Sequence, residues 1–246
     1  MKHFDFFFTT LISAAVLMLS LIQAVQAAVY IEGTRIIFPS SEKEITVKTT
    51  NKGKAPALMQ IWLDRGNSQL QPQNADAPFL VTPPIYRLDP GKGQSVRLAF
   101  VGEQLPQDRE SLFWFNALEI PPLAKGDKSY MQVAVRSRLK LFYRPVGLPG
   151  DSASAVKKVT WKILPATSGK GFILRGDNPT PYYVTYGKLE LSSSGKGNNL
   201  GSTMINPYSY KEIPLKGVTE HTVGKELNYQ AMGDYGLGIE QKVKVR

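Results

Sequence analysis

The feature that most constrains the fold of this chain is the alternation of apolar and polar residues over short runs. Examples are "EITVKTTN" (44–51), "SVRLAF" (95–100) and "LFWFNALEI" (112–120). Successive side chains of a strand point to opposite faces, so the pattern predicts strands with one buried face. Helical periodicity is almost absent after residue 27. The chain is therefore predicted to be all-β.

Turn-forming sequences such as "DPGKG" (89–93) separate these runs, and a second series of runs begins with "AVKKVTWKIL" (155–164). Short alternating strands with proline and glycine between them are typical of antiparallel sandwiches. The stretch "PVGLPG" (145–150) carries two prolines and two glycines near the middle of the chain. We therefore predict two immunoglobulin-like β-sandwich domains, at residues 28–147 and 148–246.

Residues 1–27 are predicted to be a secretory signal peptide. A basic start precedes the apolar run "FFFTTLISAAVLMLSLIQAV" (6–25), and small residues lie just before Ala28. The alternative is a transmembrane anchor, because the run is nearly long enough to span a bilayer. Thr9, Ser13 and other polar residues interrupt it, and no basic stop-transfer cluster follows. We expect cleavage after Ala27 and no membrane insertion of the mature chain.

Cysteine is absent and the formal net charge is +10. An exported protein without disulfides must derive its stability from its cores. The positive charge either serves solubility or indicates an anionic partner. Nucleic acid is a poor candidate for the partner, because the protein is predicted to be exported and its basic residues are scattered without an RNA-binding motif. We therefore expect no nucleic acid among its partners.

The composition also argues against an enzyme. After residue 27 the chain holds a single histidine, His221, and it has no Gly-x-Ser-x-Gly elbow. Histidine–cysteine metal sites are impossible, and no segment has the carboxylate pattern of a calcium loop. We therefore expect no catalytic residues, no metal and no cofactor.

Several motifs in a fixed order point to a family. They are "TPPIYRLDPGKGQSVRL" (82–98), "LPQDRESLFWFNALEIPP" (105–122), "KLFYRP" (140–145), "NPTPYYVT" (178–185) and "GDYG" (233–236). With them the chain resembles the periplasmic PapD-like chaperones of the chaperone–usher pathway. The resemblance covers essentially all of the chain after residue 27. It implies an L-shaped pair of sandwiches, with a cis peptide bond before Pro83.

The resemblance also implies a function. Such chaperones bind pilin or fimbrial subunits in the periplasm, complete the subunit's sheet with a strand of their own, and deliver it to an outer-membrane usher. It allows a self-capping dimer. The short segment "PPLAKGDKSYMQ" (121–132) is similar to the short-loop class of the family.

The stretch "SYMQVAVRSRLKLFYRP" (129–145) is predicted to be one long strand. The resemblance implies that Met131, Val133 and Val135 form the donor strand that enters the subunit. The alternative is that these three are ordinary core residues of the first sandwich, and alternation alone does not separate the two. For Arg136 and Arg138 we expect solvent exposure.

Two further groups of charges match family positions. Arg35 and Lys140 are implied to hold the carboxylate at the C terminus of the subunit. Lys140 follows Val135 by five residues, so an ideal strand puts them on opposite faces. Either a bulge or twist reorients one of them, or they serve different surfaces.

Glu110, Arg144 and Asp234 are implied to form a charge triad between the domains. The alternative is three independent surface charges, each contributing little.

Two other functions compete with the chaperone. A secreted β-sandwich adhesin or structural subunit would normally carry an N-terminal donor extension, and here the first predicted strand begins almost at the cleavage site. A secreted sandwich enzyme would need a catalytic constellation, which the sequence does not present.

Overall fold

The structure is a computed structural model, and it describes residues 28–123, 132–166, 171–193, 196–215, 226–236 and 238–245. Within these residues the chain is built almost wholly from strands, which confirms the all-β prediction. Two separate hydrophobic cores confirm the pair of sandwiches, one drawn from residues 29–143 and one from residues 155–245. The boundary between 147 and 148 stays a prediction, and residues 1–27 lie outside the described part.

Among the described residues the first sandwich contains nine strands and a 3₁₀ turn at Pro72–Asn74. The strands are β1 (Val29–Ile31), β2 (Arg35–Pro39), β3 (Glu44–Asn51), β4 (Ala57–Asp64), β5 (Phe79–Thr82), β6 (Ile85–Leu88), β7 (Gly93–Phe100), β8 (Ser111–Ile120) and β9 (Val135–Arg144). A four-stranded sheet in the order β1-β3-β7-β5 packs on a five-stranded sheet in the order β2-β9-β8-β4-β6. Neighbouring strands are antiparallel, except that β2 runs parallel to β9.

Alternation along the strands builds the first core. Phe113 and Phe115 on β8 point inward, and Phe38 and Phe79 meet edge to face with ring centroids 5.2 Å apart. Each such side chain contributes about 1.5–3 kcal/mol by leaving water. At the predicted turn 89–93, the N–H of Lys92 donates to the carbonyl of Asp89. The Thr82–Pro83 peptide bond is cis, as the resemblance implied.

The described part of the second sandwich contains one helix and seven strands. They are α1 (Ser152–Lys158), β10 (Thr160–Pro165), β11 (Phe172–Asn178), β12 (Val184–Ser193), β13 (Lys196–Ile205), β14 (Ser209–Leu215), β15 (Glu226–Met232) and β16 (Gly238–Lys244). The sheets have the orders β10-β11-β14 and β13-β12-β15-β16. Trp161, Tyr186 and Tyr229 pack edge to face at the centre of this core.

Helix α1 corrects one prediction, because residues 155–164 were expected to be a single strand. Asp151 caps the helix: its carboxylate accepts from the Ser154 N–H at 2.7 Å, and the Ser154 side chain lies against the backbone of Asp151. This capping box stabilises a helix start, and the buried Ala155 and Val156 tie the helix to the core. The strand begins only at Thr160.

Candidate functional site

The structure brings Arg35 and Lys140 side by side. Strands β2 and β9 are parallel neighbours, and Arg35 lies directly opposite Lys140 in their register. Both residues line a cleft of about 470 Å³ between the two sandwiches. Trp114 lines it from the first sandwich, and residues including Thr185 and Thr203 line it from the second.

Arg35 is held by the second sandwich. Its Nη1 donates to the carbonyl oxygen of Met232 at 3.0 Å, and its guanidinium lies 6.0 Å from the ring centre of Phe142. The Nε of Arg35 is buried and has no acceptor among the described residues. Burial lowers the pKa of Arg35, and the charges of Asp234 and Glu110 partly oppose that effect. The guanidinium remains a permanent cation.

Lys140 is the more perturbed cation. Desolvation by burial lowers the pKa of Lys140 to about 8, and repulsion from Arg35 adds to the shift. Its Nζ lies 3.5 Å from the Thr185 hydroxyl oxygen, a long hydrogen bond, and 5.9 Å from the ring centre of Trp114. Among the described residues no carboxylate forms an ion pair with Lys140 or Arg35. Two partly desolvated cations are thus arranged to receive an anion.

The predicted donor strand lies next to this cleft. Strand β9 pairs with β8 from Val135 to Tyr143, but it pairs with β2 only from Lys140 to Arg144. Within the described part of the chain, the edge of β9 from Val135 to Leu139 therefore has no partner strand. An open edge of this kind is a template for another chain.

The three predicted donor residues differ in their exposure and in whether the structure describes them. Val133 is 46% exposed, and Val135 is half-buried at the first position of β9. Met131 lies outside the described residues. The long strand expected from residue 129 is wrong at residues 132–134, which carry no strand pairing. The partner strand β8 ends at Ile120, one residue past the partner of Val135, so among the described residues no strand pairs with residues 132–134.

The register of β9 against β8 determines the faces on which Val135 and Lys140 lie. The register of β8 against β9 runs from Ser111–Tyr143 to Glu119–Val135 without a shift, so there is no bulge. Leu141 packs in the first core, whereas Lys140 lines the cleft. Val135 and Lys140 therefore lie on opposite faces of β9 and serve different surfaces.

The structure joins Arg144 to Glu110 and Asp234. Arg144 Nε donates to Glu110 Oε1 at 2.7 Å, and its Nη1 and Nη2 donate to the two Asp234 oxygens at 2.8 and 2.9 Å. Ser152 and Tyr183, which sequence reasoning did not assign, complete the network. The Ser152 hydroxyl donates to Asp234, and the Tyr183 N–H donates to Glu110. The network links both sandwiches.

The two carboxyl groups of the triad differ in the net direction of their pKa shifts. Burial raises the pKa of Glu110, and hydrogen bonds from Arg144 and the Tyr183 N–H only partly offset this effect. Burial also opposes the charged form of Asp234, but the hydrogen bonds and charge of Arg144 outweigh it, so the pKa of Asp234 is lowered. Arg144 itself is desolvated, yet its two partners raise its pKa.

The expected exposure of Arg136 and Arg138 is wrong. Arg138 Nη2 lies 2.5 Å from the buried carboxylate of Asp64, and its guanidinium stacks 4.3 Å from the ring centre of Trp114. Arg136 donates two hydrogen bonds to Asn116 Oδ1. Alternation in the sequence places these arginines, Asn116 and Asp64 on particular faces of their strands. It does not show that they meet, because the contact depends on the register between the three strands.

Among the described residues no cluster of three or more histidine, cysteine or carboxylate side chains could hold a metal ion. No helix in that part of the chain is long and apolar enough to cross a membrane.

Two family models match the chain. The PapD N-terminal domain of pili and flagellar-assembly chaperones matches residues 28–149, and the PapD C-terminal domain matches residues 154–242. The chain is 43% identical over 228 residues to Chaperone protein FimB/FhaD of Bordetella pertussis, covering 90% of each. It is 38% identical over 224 residues to the probable fimbrial chaperone YadV of Escherichia coli K12, covering 89% of this chain and 90% of YadV. The crystal structure of YadV chaperone superposes with a TM-score of 0.76 at 37% identity, covering 89% of this chain and 100% of the other.

Proposed function

Because this chain belongs to the PapD-like family of pilus-assembly chaperones, we propose that it binds pilus subunits by donor-strand complementation. It caps each subunit and delivers it to an outer-membrane usher. The family of fimbrial chaperones favours this function over that of a secreted adhesin or structural subunit. The family is non-enzymatic, and the proposed work is done by binding alone.

One observation carries the proposal: the open edge of β9 ends at the paired cations Arg35 and Lys140. A guest strand on this edge, with its terminal carboxylate between the two cations, has only one possible direction. It must run parallel to β9, in line with β2 and ending where β2 begins. Main-chain hydrogen bonds give general affinity, and the anchored carboxylate fixes the register.

Met131, Val133 and Val135 are the proposed side chains that enter the subunit. The exposure of Val133 supports this role, because a core residue would be covered by its own sandwich. Burying such a side chain contributes roughly 1.5–3 kcal/mol before the costs of association. The same exposed edge supports a self-capping dimer when no subunit is present.

The remaining proposals concern export and domain limits. We propose cleavage after Ala27, release into the periplasm, membership of the short-loop class, and domains at 28–147 and 148–246. The Glu119 carboxylate accepts hydrogen bonds from the backbone N–H groups of Ala28 and Val29 at 3.2 and 3.1 Å. An α-ammonium group at Ala28 would strengthen that contact, which supports cleavage at this bond.

The test is co-expression of the chain with a fimbrial subunit, followed by affinity capture of the complex. Arg35→Ala or Lys140→Ala should reduce recovery of the subunit at least tenfold while the variant keeps its melting temperature within a few degrees. Lys48→Ala, on the exposed face of β3, and Arg87→Ala, on β6, are the matched controls. Normal recovery with both cleft variants would refute the anchor.

A further inference from the structure

One cluster on the five-stranded sheet is not used by the function proposed above. It lies on the face of β4, β8 and β9 that carries Lys140, opposite the core. Register aligns its members across three strands: Trp62 lies opposite Asn116, Asn116 opposite Arg138, and Asp64 opposite Trp114. With Arg136 these residues are called the Asp64 cluster.

Asp64 is the centre of this cluster and is 0% exposed. Its Oδ1 accepts from Arg138 Nη2 at 2.5 Å and from the Gly66 N–H at 2.7 Å, and its Oδ2 accepts from Asn116 Nδ2 at 2.8 Å. All of these partners are donors, so the site requires an acceptor on both oxygens, as in an ionised carboxylate. Arg136 reaches the same carboxylate only at 3.8 Å.

The cluster extends into the cleft through Arg138. Arg138 lines the cleft together with Arg35 and Lys140, and its guanidinium shares the ring of Trp114 with the Lys140 ammonium. Of these three cations only Arg138 has a carboxylate partner among the described residues. Asp64 therefore cancels the charge of one of three cations that an anion in the cleft would meet.

We propose that Asp64 determines the charge selectivity of the cleft, so that it binds the single charge of a terminal carboxylate and discriminates against doubly charged anions such as sulfate. The inference rests on the proposed function of the cleft. A dianion is more costly to desolvate than a carboxylate and needs a correspondingly larger positive charge. With Arg138 paired to Asp64 and its guanidinium 4.3 Å from the ring centre of Trp114, Arg35 and Lys140 are the cleft cations without an ion-pair partner among the described residues. Removing the charge of Asp64 frees Arg138 to act as a third ligand.

The experiment measures acetate and sulfate affinity at pH 7 on the mature chain. The readout is the NMR shift of the Lys140 side chain, with Trp114 fluorescence as a second signal. Asp64→Asn should raise the ratio of sulfate to acetate affinity about tenfold. The double variant Asp64→Asn/Arg138→Gln should restore the wild-type ratio, because it again leaves two uncompensated cations. A purely structural role of Asp64 would not give this recovery.

A second variant keeps the proposal testable if Asp64→Asn does not fold. Arg138→Gln leaves Asp64 with only the more distant Arg136, at 3.8 Å, as a cation partner, so acetate affinity should fall several-fold and sulfate affinity should fall further. An unchanged selectivity ratio in folded Asp64→Asn, or unchanged affinities in Arg138→Gln, would overturn the inference. If wild-type protein binds acetate without any shift of Lys140, the proposed anchor itself fails, which is a separate result.

Discussion

At the scale of the residue, Lys140 combines two opposed roles. Its ammonium is held in a partly desolvated cleft beside another cation, which is unfavourable for the free protein and favourable for binding an anion. Residues of this kind are conspicuous in functional sites, because a fold optimised for stability alone would not place them there.

We predict that Lys140→Met stabilises the free protein. The folded pKa of Lys140, about 8, lies below its ordinary value of 10.5, so the unfolded state binds more protons between these values. The stability contributed by this group therefore rises with pH from about 8 to 10.5, and the full penalty is present at pH 7. Allowing for partial exposure, the variant should gain about 1 kcal/mol at pH 7, or about 2–4 °C. Thermal unfolding at pH 7 and pH 10 checks this: the gain should shrink at pH 10.

The lowered pKa of Lys140 also predicts that carboxylate binding depends on pH. A bound carboxylate favours the ammonium form and raises the pKa of Lys140, so binding takes up a proton above pH 8. Affinity for a carboxylate-terminated peptide should be constant from pH 6.5 to 7.5 and fall by up to tenfold per unit above about pH 8. Lys140→Arg, which stays charged, should give a flat profile in isothermal titration. A flat profile in the wild type would contradict the assignment.

At the scale of the element, β9 divides into two halves with different environments. From Lys140 to Tyr143 it lies between β2 and β8, whereas from Val135 to Leu139 one edge has no partner strand among the described residues. The division explains how the chain tolerates an open strand edge: the open half is short, it carries Arg136 and Arg138, and its other edge pairs with β8.

We predict that Val133→Asp separates binding from folding. Val133 is exposed, so the aspartate should shift the melting temperature by less than about 2 °C, while a charge carried into an apolar groove should reduce subunit recovery more than tenfold. Leu141→Asp, at a fully buried position eight residues later, should instead cost several kcal/mol and prevent folding. A large loss of stability in Val133→Asp would place that residue in the core.

The strands show how far sequence reasoning reaches. Phe113 and Phe115, like the other core faces, follow from alternation, because period two depends on local geometry alone. Arg136 and Arg138 were mispredicted, because their partner Asp64 lies on another strand and the pairing depends on register. The contact between Arg144 and Asp234 spans 90 residues, and only the family resemblance brought it forward. Helix α1 was not predicted, because the run that starts at Ala155 was interpreted as a strand and the capping box of Asp151 and Ser154 just before it was not considered.

At the scale of the whole molecule, Arg144 and its two carboxylates connect the sandwiches. A second contact lies beside them: the guanidinium of Arg109 stacks 5.1 Å from the ring centre of Tyr208. The Glu110 N–H also donates to the carbonyl of Pro181. These contacts join the two sandwiches through hydrogen bonds and charged groups.

We predict that Arg144→Met destabilises this interface strongly. The buried carboxylate of Glu110 and the partly buried carboxylate of Asp234 would lose their cation, at a cost of about 3–5 kcal/mol. Arg87→Met, which removes an exposed ion pair, should cost about 0–1 kcal/mol. Asp234 now has a lowered pKa, so its contribution is lost only as pH falls through that value; without Arg144 burial would dominate, and acid unfolding should begin at a higher pH. Calorimetry at several pH values would measure the loss of stability and the onset of acid unfolding. Small-angle scattering would measure any change in the arrangement of the two sandwiches.

The position of β2 has a consequence for the length of any guest. Strand β2 occupies the same edge of β9 from Lys140 onward. A guest strand paired with β9 at residues 135–139 therefore cannot extend past Lys140 along that edge. From Val135 to Lys140 the chain covers about 17 Å, at about 3.3 Å per residue. In the complex proposed above, the anchored carboxylate therefore fixes the position of every guest residue relative to the last one. A subunit with one extra residue at its C terminus would either lose the contact of its carboxylate with Arg35 and Lys140, or shift by one residue along β9 and turn its side chains to the opposite face.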